Sequence, residues 1–164
     1  MTRIYVGIGS NIDRDRHIRA AVRLLTKSFG KLLLSSIYES PAYGFAGDNF
    51  YNLVGGFDTS LDLTLLATRL RDIEYAGGRQ RYEGKFLSRT LDIDLLLYGD
   101  LVRHDDTFDL PRQDIVHYAF VLCPLAEIAA ADRHPELGRT YADLWREFDE
   151  EKRQLWTVHF SLDD

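Results

Sequence analysis

The clearest chemistry in this chain lies in Arg89-Thr90-Leu91-Asp92-Ile93-Asp94-Leu95-Leu96-Leu97. Read as a strand, the stretch alternates its side chains between two faces. Leu91, Ile93, Leu95 and Leu97 then point to a core. Asp92 and Asp94 point the other way, about 6.5–7 Å apart along the strand. Two carboxylates at this spacing repel each other unless they are well solvated or a cation lies between them. Hard oxygen ligands of this kind suit Mg²⁺, which takes one or two protein carboxylates and completes its shell with water and phosphate oxygens. A half-exposed strand with two solvated aspartates is the competing reading. Two features weigh against it. Asp is a poor strand former, and a basic segment runs directly into the strand. That segment, residues 79–89, holds Arg79, Arg81, Lys85 and Arg89, interleaved with aromatics around Gly84. It reads as a phosphate-binding flap, or else as a solvated loop.

Other groups could contribute. The loop from Glu39 to Asn49 carries Pro41, small residues, Tyr43 and Phe45, and its glycines Gly44 and Gly47 can act as hinges. Beyond it, Phe50 and Asn52 share one face of a strand. A ring beside an amide can stack on a planar heterocycle and hydrogen-bond its edge. Equally, Phe50 can belong to the core while Asn52 caps a backbone group. Glu74 lies in the last turn of a helix, where the dipole favours cations, so an acid there is solvated, paired or bound to a ligand. Gly7-Ile8-Gly9-Ser10-Asn11 reads as a turn between a strand and a helix. It is neither a Walker loop nor a complete Gly-x-Gly-x-x-Gly, so its phosphate-cradling signal is weak.

The elements that position these residues follow from periodicity. Ile4, Val6 and Ile8 alternate in a first strand. Ile18, Val22, Leu25 and Phe29 form one face of a helix that Gly30 stops. Leu32 to Tyr38 reads as a second strand, and Phe50 to Phe57 begins a third. A second helix has the stripe Leu63, Leu66, Leu70 and Ile73, with Gly77-Gly78 as its stop. The Asp92 strand closes at Tyr98-Gly99-Asp100. An acidic connection, residues 105–111, leads to a helical region over 116–131, where Pro124 suits a first helical position. Thr140 and Asp143 suit a capping box before a last helix with the stripe Tyr141, Leu144, Trp145 and Phe148. Leu155 to Phe160 adds a terminal strand. The order strand–helix–strand–strand–helix–strand matches an α+β, ferredoxin-like βαββαβ sandwich with extra C-terminal helices and a strand. Both helices then cover one sheet face, and the opposite face with its loops makes the site.

Composition bounds the function. The 164 residues fit one domain over 1–164. A net charge of −6 argues against a general nucleic-acid binder. One cysteine, Cys123, cannot form an intrachain disulfide, and no cysteine cluster points to zinc. The N-terminus lacks the apolar run of a signal peptide, and no stretch reaches the roughly 20 apolar residues of a membrane span. The expected setting is the cytoplasm, with no membrane partner.

The quoted residues resemble the 6-hydroxymethyl-7,8-dihydropterin pyrophosphokinase family of folate biosynthesis. The likeness spans nearly the whole chain and is most specific at residues 89–96. It is supported by Gly9-Ser10-Asn11, by residues 35–41, by Phe50-Tyr51-Asn52 and by residues 120–125. It implies transfer of pyrophosphate from ATP, as co-substrate, to the hydroxymethyl group of a reduced pterin, with AMP leaving. By the same resemblance, Asp92 and Asp94 hold two Mg²⁺ ions on the phosphates. Phe50 and Phe120 sandwich the pterin, and Ser40, Asn52 and the backbone near Tyr43 meet its polar edge. Glu74, Leu95 and Arg112 are nucleotide-site residues, and Arg81 and Arg89 reach the phosphates from the basic loop. A monomer is expected.

The departures from the family pattern fall around the phosphates. After Leu110-Pro111 the family usually has His and this chain has Arg112. Before Ala119-Phe120 it usually has Arg, and here Tyr118 stands. Ser88 and Phe86 replace a loop proline and aromatic, and Ser40-Pro41-Ala42 replaces Thr-Pro-Pro. Arg suits phosphate, so Arg112 can restore one lost contact, or it can pair with Asp109 or Asp114 on the surface. Two other functions compete with an active pyrophosphokinase: a pterin-binding module without transfer activity, and a related kinase with altered pterin or nucleotide preference. The retained Asp pair favours an enzyme, because a pure pterin binder needs no metal carboxylates.

Overall fold

The structure is a computed structural model that describes residues 1–42, 47–78 and 91–162. In chain order, β1 (Thr2–Ser10) leads to α1 (Arg14–Phe29), then β2 (Leu33–Leu34), β3 (Ile37–Ser40) and β4 (Phe50–Thr59). After α2 (Leu63–Ala76) come β5 (Asp92–Tyr98), β6 (Arg103–His104) and β7 (Asp109–Leu110). The helices α3 (Asp114–His117), α4 (Ala119–Ile128) and α5 (Tyr141–Arg146), a 3₁₀ turn at Glu150–Lys152 and β8 (Trp156–Val158) complete the described chain.

Among the described residues, six strands form one antiparallel sheet in the order β5-β1-β4-β3-β8, with β2 beside β4. Its four-strand heart, β5-β1-β4-β3, has the strand order of the split βαβ arrangement, so the ferredoxin-like expectation holds. The helices α1 and α2 form as their stripes dictate. Ile18, Val22 and Leu25 of α1 and Leu66, Leu70 and Ile73 of α2 are buried against Ile4, Val6 and Ile8 of β1. Gly30 leaves α1 at φ 83°, a conformation that favours glycine. Asp62 caps α2 through Leu65 N–H at 2.9 Å.

Five expectations need correction. First, Gly7, Ile8, Gly9 and Ser10 belong to β1 itself, paired with β4 and β5, and do not form a turn. The connection to α1 is Asn11 to Asp13, with Asp13 at φ 47°. Second, the 32–38 strand is broken. Ser35 turns inward between β2 and β3, where its hydroxyl oxygen accepts Val54 N–H at 2.9 Å and its own N–H donates to Val54 O at 3.0 Å.

Third, alternation fails along β5. Val6 faces Leu95 and the adjacent Tyr5 faces Leu97, so Leu96 is an extra residue, a bulge. Leu91, Ile93 and Leu95 pack on the helix side, whereas Leu96 and Leu97 join a second core. Fourth, that second core occupies part of the face expected to be open. Tyr5, Val54, Leu96 and Leu97 pack there under Ile115, Leu122, Leu125 and Tyr141 of the C-terminal helices. Fifth, the 116–131 helix is interrupted at Tyr118, which is extended (φ −124°, ψ 126°), and Pro124 lies inside α4 and not at its start. A proline there has no N–H to donate back along the helix, and its buried ring packs in a helix that is apolar nearly all round.

The last helix obeys its cap, since Thr140 Oγ1 accepts Asp143 N–H at 3.1 Å. The terminal strand β8 adds to the β3 edge. The acidic connection folds as a β6–β7 hairpin, with Asp105 Oδ1 accepting Thr107 and Phe108 N–H at 2.8 and 2.9 Å. No helix among the described residues is long and apolar enough to cross a membrane.

Candidate active site

The site face of the sheet is set by register. Gly9 of β1 lies opposite Asp92 of β5 on one side and Asn52 of β4 on the other. Residues directly opposite in an antiparallel pair point to the same face, so Asp92, Gly9 and Asn52 form one row across three strands. The next row is Asp94, Gly7 and Val54. The two glycines put no side chain on the middle strand: Asn52 and Phe50 lie over the buried Gly9, and the Leu96 side chain lies over Gly7. Two strand spacings, about 9–10 Å, separate the outer members of a row. Position 9 needs glycine sterically. A Cβ on Gly9 would sit 2.9 Å from Asn52 Oδ1, too close for either group to stay in place.

On the β4 side, Asn52 is buried and its Nδ2 donates to the buried Ser40 Oγ at 2.9 Å. Phe50 is half-buried on the same strand face and pairs with Ser40 in register. α4 packs on β3 and β4 and carries half-buried Phe120 in its first turn, on this side of the sheet. Tyr118 stacks on Phe120, centroids 5.0 Å apart at 23°. The residue that stands where the family usually has an arginine therefore buttresses an aromatic ring.

On the β5 side, Asp92 and Asp94 face a cleft of about 390 Å³ between α2 and the β6–β7 hairpin. Leu95, Glu74 and Arg112 also line it. Glu74 is buried, not solvated, and its Oε2 accepts Ile93 N–H at 2.8 Å. The acid thus caps the edge of β5 between the two aspartates. Asp94 is only about one-third exposed. Burial, then the charge of Asp92, pushes its carboxyl up to about 8 against the opposing pull of Arg112. Arg112 donates from Nε to Asp114 Oδ2 at 3.0 Å, and its Nη2 lies 3.7 Å from Asp94 Oδ1. Its backbone N–H also bonds Leu96 O at 2.9 Å. Of the two surface partners expected for Arg112, Asp114 is the one it meets, yet the guanidinium lies in the cleft. Two crowded carboxylates, Asp94 with its charge disfavoured by burial and by Asp92, are a donor set a divalent cation fits, because a cation offsets both costs.

The structure thus brings Asp92, Asp94, Glu74, Leu95 and Arg112 to one cleft, and Ser40, Phe50, Asn52 and Phe120 to the neighbouring end of the same face. Tyr43, Arg81 and Arg89, together with Phe86 and Ser88, lie outside the described residues. Sequence reasoning missed Gly7 and Gly9 as strand positions on the site face that lack a side chain. Their spacing of two inside an alternating strand was the available signal. It also missed the hairpin wall at Thr107 and Phe108, which no local pattern announces.

Comparison with known proteins gives these residues a context. Residues 5–130 match the family model described as 7,8-dihydro-6-hydroxymethylpterin-pyrophosphokinase (HPPK). The 2-amino-4-hydroxy-6-hydroxymethyldihydropteridine pyrophosphokinase of Aquifex aeolicus (strain VF5) is 34% identical over 137 residues, covering 82% of this chain and 85% of that protein. The protein of the same name from Pseudomonas aeruginosa is 36% identical over 151 residues, covering 87% and 89%. Among solved structures, wild-type HPPK-DHPS of Plasmodium falciparum with pteroate superposes with a TM-score of 0.69 over 89% of this chain at 15% identity, a likeness of fold. This chain spans 42% of that longer one. With its family model matched across most of its length and its relatives alike over more than four-fifths of both chains, this protein belongs to the 7,8-dihydro-6-hydroxymethylpterin-pyrophosphokinase family.

Proposed function

We propose that the chain, as a single monomeric domain over 1–164 in the cytoplasm, carries out its family's reaction in folate biosynthesis. Pyrophosphate passes from ATP to the hydroxymethyl group of 6-hydroxymethyl-7,8-dihydropterin. The hydroxyl oxygen bonds to the β-phosphorus, the bond from that phosphorus to the α–β bridging oxygen breaks, AMP leaves with the bridging oxygen, and the hydroxyl proton is released. The observation that carries this reading is the row Asp92–Gly9–Asn52, which sets an amide and an acid on one face with a residue lacking a side chain between them.

In this reading Phe50 and Phe120 hold the flat ring, and Ser40 and Asn52, with the backbone at Tyr43, meet its polar edge. Gly9 lets the hydroxymethyl group lie close to the sheet and point toward Asp92. The nucleotide occupies the cleft beside Glu74 and Leu95. Glu74 keeps the edge of β5 straight by holding Ile93 N–H, which keeps both aspartates aimed into the cleft. Asp92 and Asp94 are the ligands for Mg²⁺, two ions in all, which when bound supply charge neutralisation for the phosphates. Arg112 adds a fixed positive charge beside Asp94, and Arg81 and Arg89 contribute from the basic loop. Reactions of this kind rest on in-line positioning and charge neutralisation more than on covalent chemistry. A site with two acids and several guanidinium groups is suited to both.

The test is direct. The protein is incubated with ATP, Mg²⁺ and the hydroxymethyl dihydropterin, and AMP and pterin diphosphate are measured. Both products should form in equal amounts. Pterin binding without AMP formation would leave a binding module, and turnover only with another pterin or nucleotide would leave a related kinase.

A further inference from the structure

A carboxylate that the proposed chemistry does not use joins the two walls of the aromatic slot. Glu127, at the outer end of α4, accepts Ser36 N–H at 3.1 and 3.0 Å on its two oxygens and Ser36 Oγ at 2.8 Å. It also accepts Tyr38 OH at 2.7 Å. Ser36 directly precedes β3 and Tyr38 lies in it, so one side chain fastens α4 to the strand that ends at Ser40.

The placement of this tie matters. Phe120, Cys123 and Glu127 recur at i, i+3 and i+7, which puts them on one stripe of α4. Phe120 stands at the slot end of the stripe and Glu127 two turns away. Tyr38 is the cross-strand partner of Asn52 and shares its face, so its ring lies beside the slot floor while its hydroxyl reaches α4. Burial, Glu127 and a contact with Cys123 hold that hydroxyl in its protonated, donating form. The helix that carries Phe120 is therefore tied at its far end to the sheet that carries Ser40, Asn52 and Phe50. Val121, Leu122 and Leu125 pack between the two ends of α4 in one core, so a slip at Glu127 shifts the seating of Phe120.

We infer that Glu127 is a positioning residue that sets the gap between Phe120 and Phe50 by tying α4 to Ser36 and Tyr38 of the β3 segment. The inference rests on the pterin slot proposed above. It concerns the width of that slot and not its chemistry, so the ligand affected is the flat heterocycle. The nucleotide cleft, on the other side of Gly9, is left alone.

Calorimetry with the folded full chain separates the outcomes. The reduced pterin is titrated in the presence of Mg²⁺ and a non-hydrolysable ATP analogue, and the analogue is titrated alone. Glu127→Ala should weaken pterin binding about three- to tenfold, the fold-change of one or two ordinary hydrogen bonds, and leave the analogue within about twofold. Glu127→Gln should restore most of the loss, because its amide oxygen can accept from Ser36 and its NH₂ can donate to the Tyr38 oxygen. Tyr38→Phe should weaken the pterin about threefold and decides the matter should Glu127→Ala fail to fold. A merely structural role would lower the melting temperature and weaken both ligands alike, and that result overturns the inference. Unchanged pterin affinity in Glu127→Ala or in Tyr38→Phe overturns it too, provided Phe120→Ala weakens the pterin in the same assay. Should Phe120→Ala bind pterin normally, the slot reading itself falls and takes this inference with it.

Discussion

The two faces of the sheet are built from opposite materials. The face under α1 and α2 is lined by Ile4, Val6, Ile8, Leu53, Phe57 and Ile93, large apolar side chains at alternate positions, each 5% exposed or less. The other face of the same strands presents Tyr5, Gly7, Gly9, Asn52, Val54, Asp92 and Asp94. Part of it is closed by the C-terminal helices, and the rest holds Gly9, the amide and the acids. One face is thus organised to exclude water completely. The other gives up packing to make room, and carries charge that costs stability until something binds. Stability and chemistry are therefore separated by the thickness of one strand.

That separation is open to attack by mutation. The largest effect is expected on the helix face. Leu66 is fully buried, and Leu66→Ala should cost about 2–5 kcal/mol of stability. Turnover per folded molecule should stay near normal, as denaturation and active-site titration together would show. On the site face the pattern should reverse. Asp92→Asn or Asp94→Asn should cut turnover on the order of 10²-fold or more, with the melting temperature unchanged or raised, since like-charge repulsion is relieved. Near-normal turnover at low Mg²⁺ in both variants would remove the metal assignment and, with it, the contrast between the faces.

A smaller loss is expected at Arg112. Arg112→Ala should slow transfer by about 1.5–3 kcal/mol, the range of a hydrogen bond to a charged group, and change pterin affinity less. Unchanged rates in Arg112→Ala and Arg112→His would reduce its role to the Asp114 ion pair, worth at most about 1 kcal/mol. The smallest effect concerns the hairpin that walls the cleft. His104 meets Asp109 through Nδ1 at 2.7 Å and Glu136 through Nε2 at 2.6 Å, so both ring nitrogens must donate and the imidazolium is favoured. Glu136, then Asp109, raises its pKa above the ordinary histidine value. The contact therefore stabilises fully below that ordinary value and is lost as pH rises through the raised one. An NMR titration should find the midpoint raised, and Glu136→Gln should bring it down. A midpoint unmoved by that substitution would show that the clamp is not made in solution.

Much of the helix face was legible in the sequence, because its signal is repetition. Leu66, Leu70 and Ile73 recur as an amphipathic helix must, and Ile4, Val6 and Ile8 as a strand must. The site face was legible only in part. The Asp pair, and Phe50 with Asn52, announced themselves by residue type. Gly7 and Gly9 were misread as a turn because glycine marks both turns and bare strand positions, and only pairing with β4 and β5 tells these apart. Pro124 pointed to a helix start by local preference, but an apolar environment on nearly every side of α4 holds it in the interior. Whether Glu74 is solvated, paired or ligand-bound stayed open in the sequence because nothing local reveals that Ile93 N–H lies over it. Contacts such as Arg112 to Asp94 join residues 18 apart in number and depend on how the hairpin folds back, which periodicity does not encode.

The extra residue at Leu96 bears on which changes of length the chain can survive. Because the bulge sets Leu96 and Leu97 side by side on the same face, a gene that lost the Leu96 codon would encode a strand in regular pairing, with every other side chain still on its own side. Loss of the Ile93 codon would be another matter. With the later half of β5 held in place by β1, Asp92 would rotate into the space Ile93 leaves beneath α2, and the pair would become a single acid. Two deletions three codons apart, each removing one apolar residue, would therefore have very different fates: one is a loss of a leucine, the other a loss of the acid pair.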